Sequence, residues 1–116
     1  MDEWVPQLDE AVALSRVGGD VDLLREVAEL FLGDYPESLA NLRDAVNTHN
    51  AQLVEQHAHR LKGSVSTFGA RGAFDAALSL ERKGRAGDLA GAEDSLHALE
   101  VALAQLHPEL EALQSR

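Results

Sequence analysis

The last third of the chain has the most regular pattern of hydrophobic positions. Apolar residues recur there at alternating spacings of three and four, at Leu89, Ala92, Leu96, Leu99, Leu103, Leu106, Leu110 and Leu113. Such spacing places the side chains in one stripe along an α-helix. The pattern predicts a long helix over 88–113 that faces a bundle core, with a kink or a restart at Pro108.

Shorter stretches with the same helical period lie upstream, and capping or turn residues separate them. Asp20 and Asn50 are suited to cap helix N-termini, and the glycine pair at 18–19 is suited to end a short first helix. A second helix then carries Leu23, Leu24, Val27, Leu30 and Phe31 at helical spacing. We predict an interruption at Gly33–Pro36, because proline fits the first turn of a new helix.

Four of the predicted helices have bundle length, and they span 36–48, 51–67, 72–84 and 88–113. The turn before the last of them contains Asp88 as a cap. Short connections imply antiparallel neighbours. Leu and Ala dominate the composition and aromatic residues make up only 4% of it, which favours helices. We therefore predict an all-α fold, an antiparallel four-helix bundle with short additional N-terminal helices, in a single domain over 1–116.

The charge of the chain restricts its partners. Ten Lys and Arg residues against twenty Asp and Glu give a net charge of −10, which repels nucleic acid and anionic membranes. There is no cysteine for disulfides or thiolate metal sites. The acidic N-terminus does not have the pattern of a signal peptide, and no apolar run is long enough to span a bilayer. We expect a cytoplasmic protein, and a monomeric state is compatible with this sequence.

Two histidines stand close together in the helix predicted over 51–67. On a helical wheel the apolar residues Leu53, Val54, Ala58, Leu61, Val65 and Phe68 form the core face. His57 falls at the edge of this face, whereas His59 lies roughly 160° from its centre. We therefore expect a packed His57 with a structural role and a His59 that points into solvent.

The neighbours of His59 indicate chemistry. Lys62 and Gly63 follow it at i+3 and i+4, so both border it on the helix surface. A glycine inside a helix costs about 1 kcal/mol relative to alanine, but here it removes bulk where a large partner would approach the ring. Lysine supplies positive charge for an anion. The three residues together indicate a phosphorylated imidazole and an incoming protein.

At this point the sequence resembles the histidine-containing phosphotransfer (HPt) domains of multistep two-component signalling. Their signature matches Ala58-His59-Arg60-Leu61-Lys62-Gly63-Ser64. The similarity covers roughly residues 9–106. It includes, in the family's order, the segments Gly18–Phe31, Pro36-Glu37, Gly69-Ala70, Leu80-Glu81 and Arg85–Asp88.

The resemblance implies a four-helix bundle that carries a phosphoryl group on one exposed histidine, to or from aspartates of response-regulator receiver domains. A sensor or hybrid histidine kinase would be a further partner. By position His59 would be phosphorylated, Lys62 would stabilise the phosphate and Gly63 would admit the partner. The domain would be a phosphocarrier without its own catalytic machinery or cofactor, and magnesium would be held by the receiver.

The resemblance also places Glu81 where several family members have a Glu or Gln that hydrogen-bonds the histidine's other nitrogen. The wheel of the 72–84 helix puts Glu81 near its apolar centre, where a carboxylate needs a partner. Two interpretations stay open. Glu81 either accepts from the His59 ring and sets its tautomer, or bends out to solvent from the helix end.

Partner choice is expected to lie in the side chains around His59, with Glu55, Gln56, Arg60 and Ser66 as candidates. One alternative is a helical interaction module that binds receivers without phosphotransfer. Another is a metal-binding bundle, but side chains two apart on a helix point about 200° away from each other, so His57 and His59 cannot chelate together. We therefore predict no metal site.

Overall fold

The computed structural model describes residues 5–115, and its regular elements are five helices. They are α1 (Glu10–Arg16), α2 (Val21–Asn47), α3 (Ala51–Ser66), α4 (Arg71–Ala86) and α5 (Ala92–Gln114). The predicted all-α fold is confirmed. The long helices contact one another in the order α2–α3–α4–α5 and back to α2, which is the arrangement of a four-helix bundle.

Local sequence explains where α2 and α3 begin. The carboxylate of Asp20 accepts from the Leu23 N–H at 3.0 Å, and the Asn50 side chain accepts from the Leu53 N–H at 3.1 Å. Both predicted caps are confirmed. The predicted cap at Asp88 is wrong, because its carboxylate accepts from Ala90 in the preceding turn and α5 begins only at Ala92. Gly91, at φ +77°, is the residue before α5.

The predicted interruption at Gly33–Pro36 is also wrong. Helix α2 is continuous over Val21–Asn47 with Pro36 in its interior, so one short helix rather than two precedes the bundle. Proline removes one hydrogen bond and crowds the carbonyl four residues before it, at a cost of about 3 kcal/mol. Buried residues on both sides of Pro36, among them Phe31 and Leu42, stabilise the helix against that cost.

The same reason applies to the last helix. Pro108 lies inside α5, which continues to Gln114, so the restart that the sequence allowed does not occur. The predicted apolar stripe is confirmed, since all its members from Ala92 onward are buried and Leu89 is partly buried. The prediction for Leu53 is wrong. The wheel put Leu53 on the core face of α3, but 39% of it is exposed.

Helix α4 ends later than predicted, and this difference matters for the site. It extends to Ala86, so Arg85 lies in the helix rather than beyond its end, and Gly87 at φ +70° ends it. A Cβ on Gly84 would lie 2.5 Å from the Glu55 backbone nitrogen of α3. Glycine at 84 therefore lets α3 and α4 approach closely at the level of Glu55.

Candidate functional site

His59 lies on the outer side of α3, with 68% of its side chain exposed. His57 is half-buried, as expected for a ring at the edge of the core face. The wheel therefore separated the two histidines correctly. Exposure leaves the His59 ring open to a large partner, whereas His57 is partly covered.

Glu81 reaches His59 from the neighbouring helix α4. Only 2% of Glu81 is exposed, and its Oε2 is hydrogen-bonded to Nδ1 of His59. Its second oxygen, Oε1, accepts from the Lys62 ammonium at 2.7 Å. Of the two interpretations left open by the sequence, the structure has the buried, paired carboxylate. It thus brings His59, Lys62 and Glu81 together across two helices.

The electrostatics of this cluster determine which ring nitrogen is free. Burial raises the pKa of Glu81, but hydrogen bonds and charge from Lys62 and His59 outweigh it, so the net pKa lies below its ordinary value. Glu81 is then an ionised carboxylate at neutral pH and can only accept hydrogen bonds. Nδ1 of a neutral His59 must therefore carry the proton, and Nε2 keeps its lone pair.

The two residues after His59 on this face differ in environment. Lys62 is mostly buried, with 22% of its side chain exposed, and one of its three N–H donors is used by Glu81. Gly63 is exposed, and a Cβ built there would have no heavy atom within 4 Å. Helix packing therefore does not require a glycine at 63, and its surface is bare.

The four residues predicted to contact partners differ in their environments. Gln56 and Arg60 are exposed on α3, and the Ser66 hydroxyl donates to the Gly63 carbonyl at 2.8 Å. The Glu55 carboxylate accepts from Arg85 Nε at 2.8 Å. Their role in partner binding stays a prediction.

Arg85 is a residue that the sequence analysis missed. Its guanidinium also lies 3.6 Å from Glu81 Oε2, so it touches both carboxylates beside His59. The i,i+4 spacing between Glu81 and Arg85 was a visible signal. The helix predicted over 72–84 ends before Arg85, so that prediction does not place the two residues on one helix face.

Within residues 5–115 there is no group of three or more His, Asp or Glu residues that could hold a metal ion. None of the helices in this part of the chain is long and apolar enough to cross a membrane.

Comparison with known proteins identifies the group to which this arrangement belongs. The model of the Hpt domain family matches residues 26–115, which is most of the chain. The chain belongs to the Hpt domain family. As an Hpt domain it is a histidine phosphotransfer module of phosphorelays, and members of this family carry phosphoryl groups between receiver domains and histidine kinases.

A solved structure agrees with this assignment. The chain is similar to the crystal structure of histidine-containing phosphotransfer protein B from Pseudomonas aeruginosa PAO1, at a TM-score of 0.88 and 26% sequence identity. The match covers 97% of this chain and 98% of the other. The sequence has no significant match among curated proteins. The resemblance seen in the sequence is thereby confirmed.

Proposed function

We propose that His59 accepts a phosphoryl group on Nε2 from an aspartyl phosphate of one receiver domain and passes it to an aspartate of another. The observation that carries this proposal is the hydrogen bond between the buried Glu81 carboxylate and Nδ1 of an otherwise exposed ring. It leaves Nε2 as the nucleophile and holds the ring in one orientation.

The transfer step balances with the groups at hand. The Nε2 lone pair forms the new N–P bond while the bond between phosphorus and the aspartyl oxygen breaks, and the electron pair leaves with the carboxylate. The ring keeps its proton on Nδ1 and becomes positively charged. Glu81 stabilises this charge, because its carboxylate already accepts from Nδ1. The reverse step delivers the group to the next aspartate.

We assign phosphate stabilisation to Lys62. Its ammonium is anchored on Glu81 but has two further donors, and it follows His59 at i+3. A phosphoryl group on Nε2 adds negative charge beside this cation, which favours the phosphorylated state. Gly63 leaves the surface next to the ring free for the approaching domain.

The rest of the machinery is proposed to belong to the partners. The receiver supplies the aspartate and magnesium, and a sensor or hybrid histidine kinase supplies phosphoryl groups to the relay. Phosphoryl transfer depends mainly on positioning and charge stabilisation, so a carrier needs little more than an oriented imidazole. We keep the cytoplasmic location predicted from the sequence as part of this proposal.

The decisive experiment incubates the protein with phosphorylated receiver domains of the source organism and locates the transferred label by mass spectrometry. We expect label on His59, none in His59→Gln, and an unchanged yield in His97→Gln, which alters an exposed histidine of α5. No label on His59, from a receiver that phosphorylates another carrier, would contradict the proposal. If His59→Gln still binds receivers and sustains signalling, the protein is an interaction module instead.

A further inference from the structure

His59 has a second carboxylate close by. Glu55 precedes it by four residues on α3, so the two side chains are neighbours on one helix face. Glu81 already accepts a hydrogen bond from Nδ1. If Glu55 turned to His59 and accepted from Nε2, both ring nitrogens would be protonated, because each would donate to a carboxylate. Such a ring has no lone pair for phosphorus.

In the structure the Glu55 carboxylate is bound to Arg85 instead. Its Nε donates to Glu55 Oε2 at 2.8 Å, while its terminal nitrogen lies 3.6 Å from Glu81 Oε2. One planar guanidinium therefore lies within reach of both carboxylates, Glu55 and Glu81. Arginine suits this task because its donors point in a fixed fork and its charge persists across the physiological range.

The backbone supports this contact independently. Gly84, the residue before Arg85, is buried against the Glu55 backbone, and a Cβ there would come within 3 Å of three atoms of α3. This close approach brings the end of α4 to the level of Glu55. The Arg85 side chain then needs only to cross a narrow gap between the helices.

We propose that Arg85 is a positioning residue that binds Glu55 and keeps it away from His59, so that Nε2 stays unprotonated and ready for phosphorus. The inference rests on the proposed function of His59 and adds a residue to it. Without Arg85, Glu55 turns to the ring and favours its protonated form. Phosphorylation then slows at neutral pH and recovers at higher pH, where the ring loses its second proton.

The charged groups on every side of His59 enter this balance. Glu55 and Lys62 lie on its own helix, and Glu81 and Arg85 come from α4. On the α2 side, Asp34 and Glu37 line a groove that they share with Arg60, the residue after His59. Only Glu55 lies one turn from the ring with its carboxylate held by Arg85.

The test is a double-mutant cycle with two measurements on the full chain. An NMR titration follows the His59 ring in the wild type, Arg85→Gln, Glu55→Gln and the double variant, and a pH–rate profile follows phosphorylation by a receiver. We expect Arg85→Gln to move the ring's titration to higher pH, because the freed Glu55 carboxylate favours the protonated ring, and to slow phosphorylation roughly tenfold at pH 7. Glu55→Gln added to Arg85→Gln should restore the titration, and the rate of the double variant should equal that of Glu55→Gln alone.

The cycle separates the mechanism from simpler ones. An equal shift with and without Glu55 would overturn the proposal, because Arg85 would then act by its own charge. An unchanged titration in Arg85→Gln would overturn it as well. The matched control is Arg71→Gln, which removes an exposed arginine paired with Asp75 on the same helix and should change nothing. The NMR titration needs no receiver, so it tests the role of Arg85 separately from the proposed function. An unchanged titration would overturn the role of Arg85 even where phosphotransfer is observed. Absence of phosphotransfer would overturn the proposed function even where the titration shifts.

Discussion

At the scale of single residues, Glu81 connects the stability of the protein to its chemistry. It is a carboxylate with 2% exposure, bonded to an exposed imidazole on one side and to a mostly buried ammonium on the other. A buried charge persists only where partners replace its hydration. In the proposed function, the hydrogen bond between Glu81 and Nδ1 also sets the tautomer of His59.

A pH dependence of stability follows from Glu81. Its pKa in the folded protein lies below the ordinary 4.5, so its contribution is complete above that value and is lost as the pH falls through the lowered pKa. We expect Glu81→Gln to lower the free energy of unfolding by about 1–3 kcal/mol at pH 7 and to weaken its fall in acid. Urea unfolding from pH 7 to about pH 3 measures both. Equal slopes for Glu81→Gln and for the exposed control Glu29→Gln would contradict this.

Gly63 is expected to separate stability from activity. Its surroundings are open, so Gly63→Ala should raise the free energy of unfolding by about 0.5–1 kcal/mol through helix propensity alone. A bulkier Gly63→Gln should keep the fold but slow phosphoryl transfer, because its side chain covers the surface beside His59. Thermal unfolding together with transfer rates checks this. Normal transfer in Gly63→Gln would show that partners do not approach over residue 63.

At the scale of elements, the contact between α3 and α4 builds the site. Each of the two helices contributes only part of the cluster, and Gly84 lets them come close enough to join the parts. Helix α2 contributes differently. It continues through Pro36 because packing on both sides of the proline outweighs the lost hydrogen bond.

Gly84→Ala is expected to change the free energy of unfolding in the opposite direction to Gly63→Ala. The added methyl group would meet the backbone of α3 at 2.5 Å, which only a displacement of a helix relieves. We expect a loss of about 1–3 kcal/mol in the free energy of unfolding, in spite of the gain in helix propensity. Phosphotransfer should also fall, because His59 and Glu81 lie on the two displaced helices. A stability equal to that of Gly63→Ala would contradict the close contact.

At the scale of the whole molecule, the excess of acidic residues is the dominant property. A net charge of −10 on 116 residues disfavours the compact state through self-repulsion, and salt screens that repulsion. The bundle core, with the leucine stripe of α5, has to overcome it.

Salt is therefore expected to stabilise the protein. Between about 20 mM and about 500 mM sodium chloride, the melting temperature should rise by roughly 2–5 °C. Calorimetry at pH 7 measures it, and potassium chloride as a second salt tests whether screening rather than a specific ion is responsible. A falling melting temperature would mean that surface ion pairs such as Arg85–Glu55 contribute more than the net charge costs.

The sequence by itself determined the features that depend on neighbours along the chain. Helical periodicity predicted the bundle and its leucine stripe, and short-range capping predicted the starts of α2 and α3 at Asp20 and Asn50. The wheel alone separated exposed His59 from half-buried His57. Helical periodicity, capping and the direction of a side chain each depend on residues within a turn or two of helix, so a short stretch of sequence encodes them.

Only the tertiary structure decided what depends on contacts between distant residues. Three outcomes depend on how two or more helices pack. Glu81 binds His59 instead of bending to solvent, and Arg85 reaches Glu55. Pro36 does not end a helix. The energy of packing along a whole helix exceeds the local preference of one proline or one long side chain. The sequence could therefore name His59 and the candidate Glu81, whereas the contact between them required the fold.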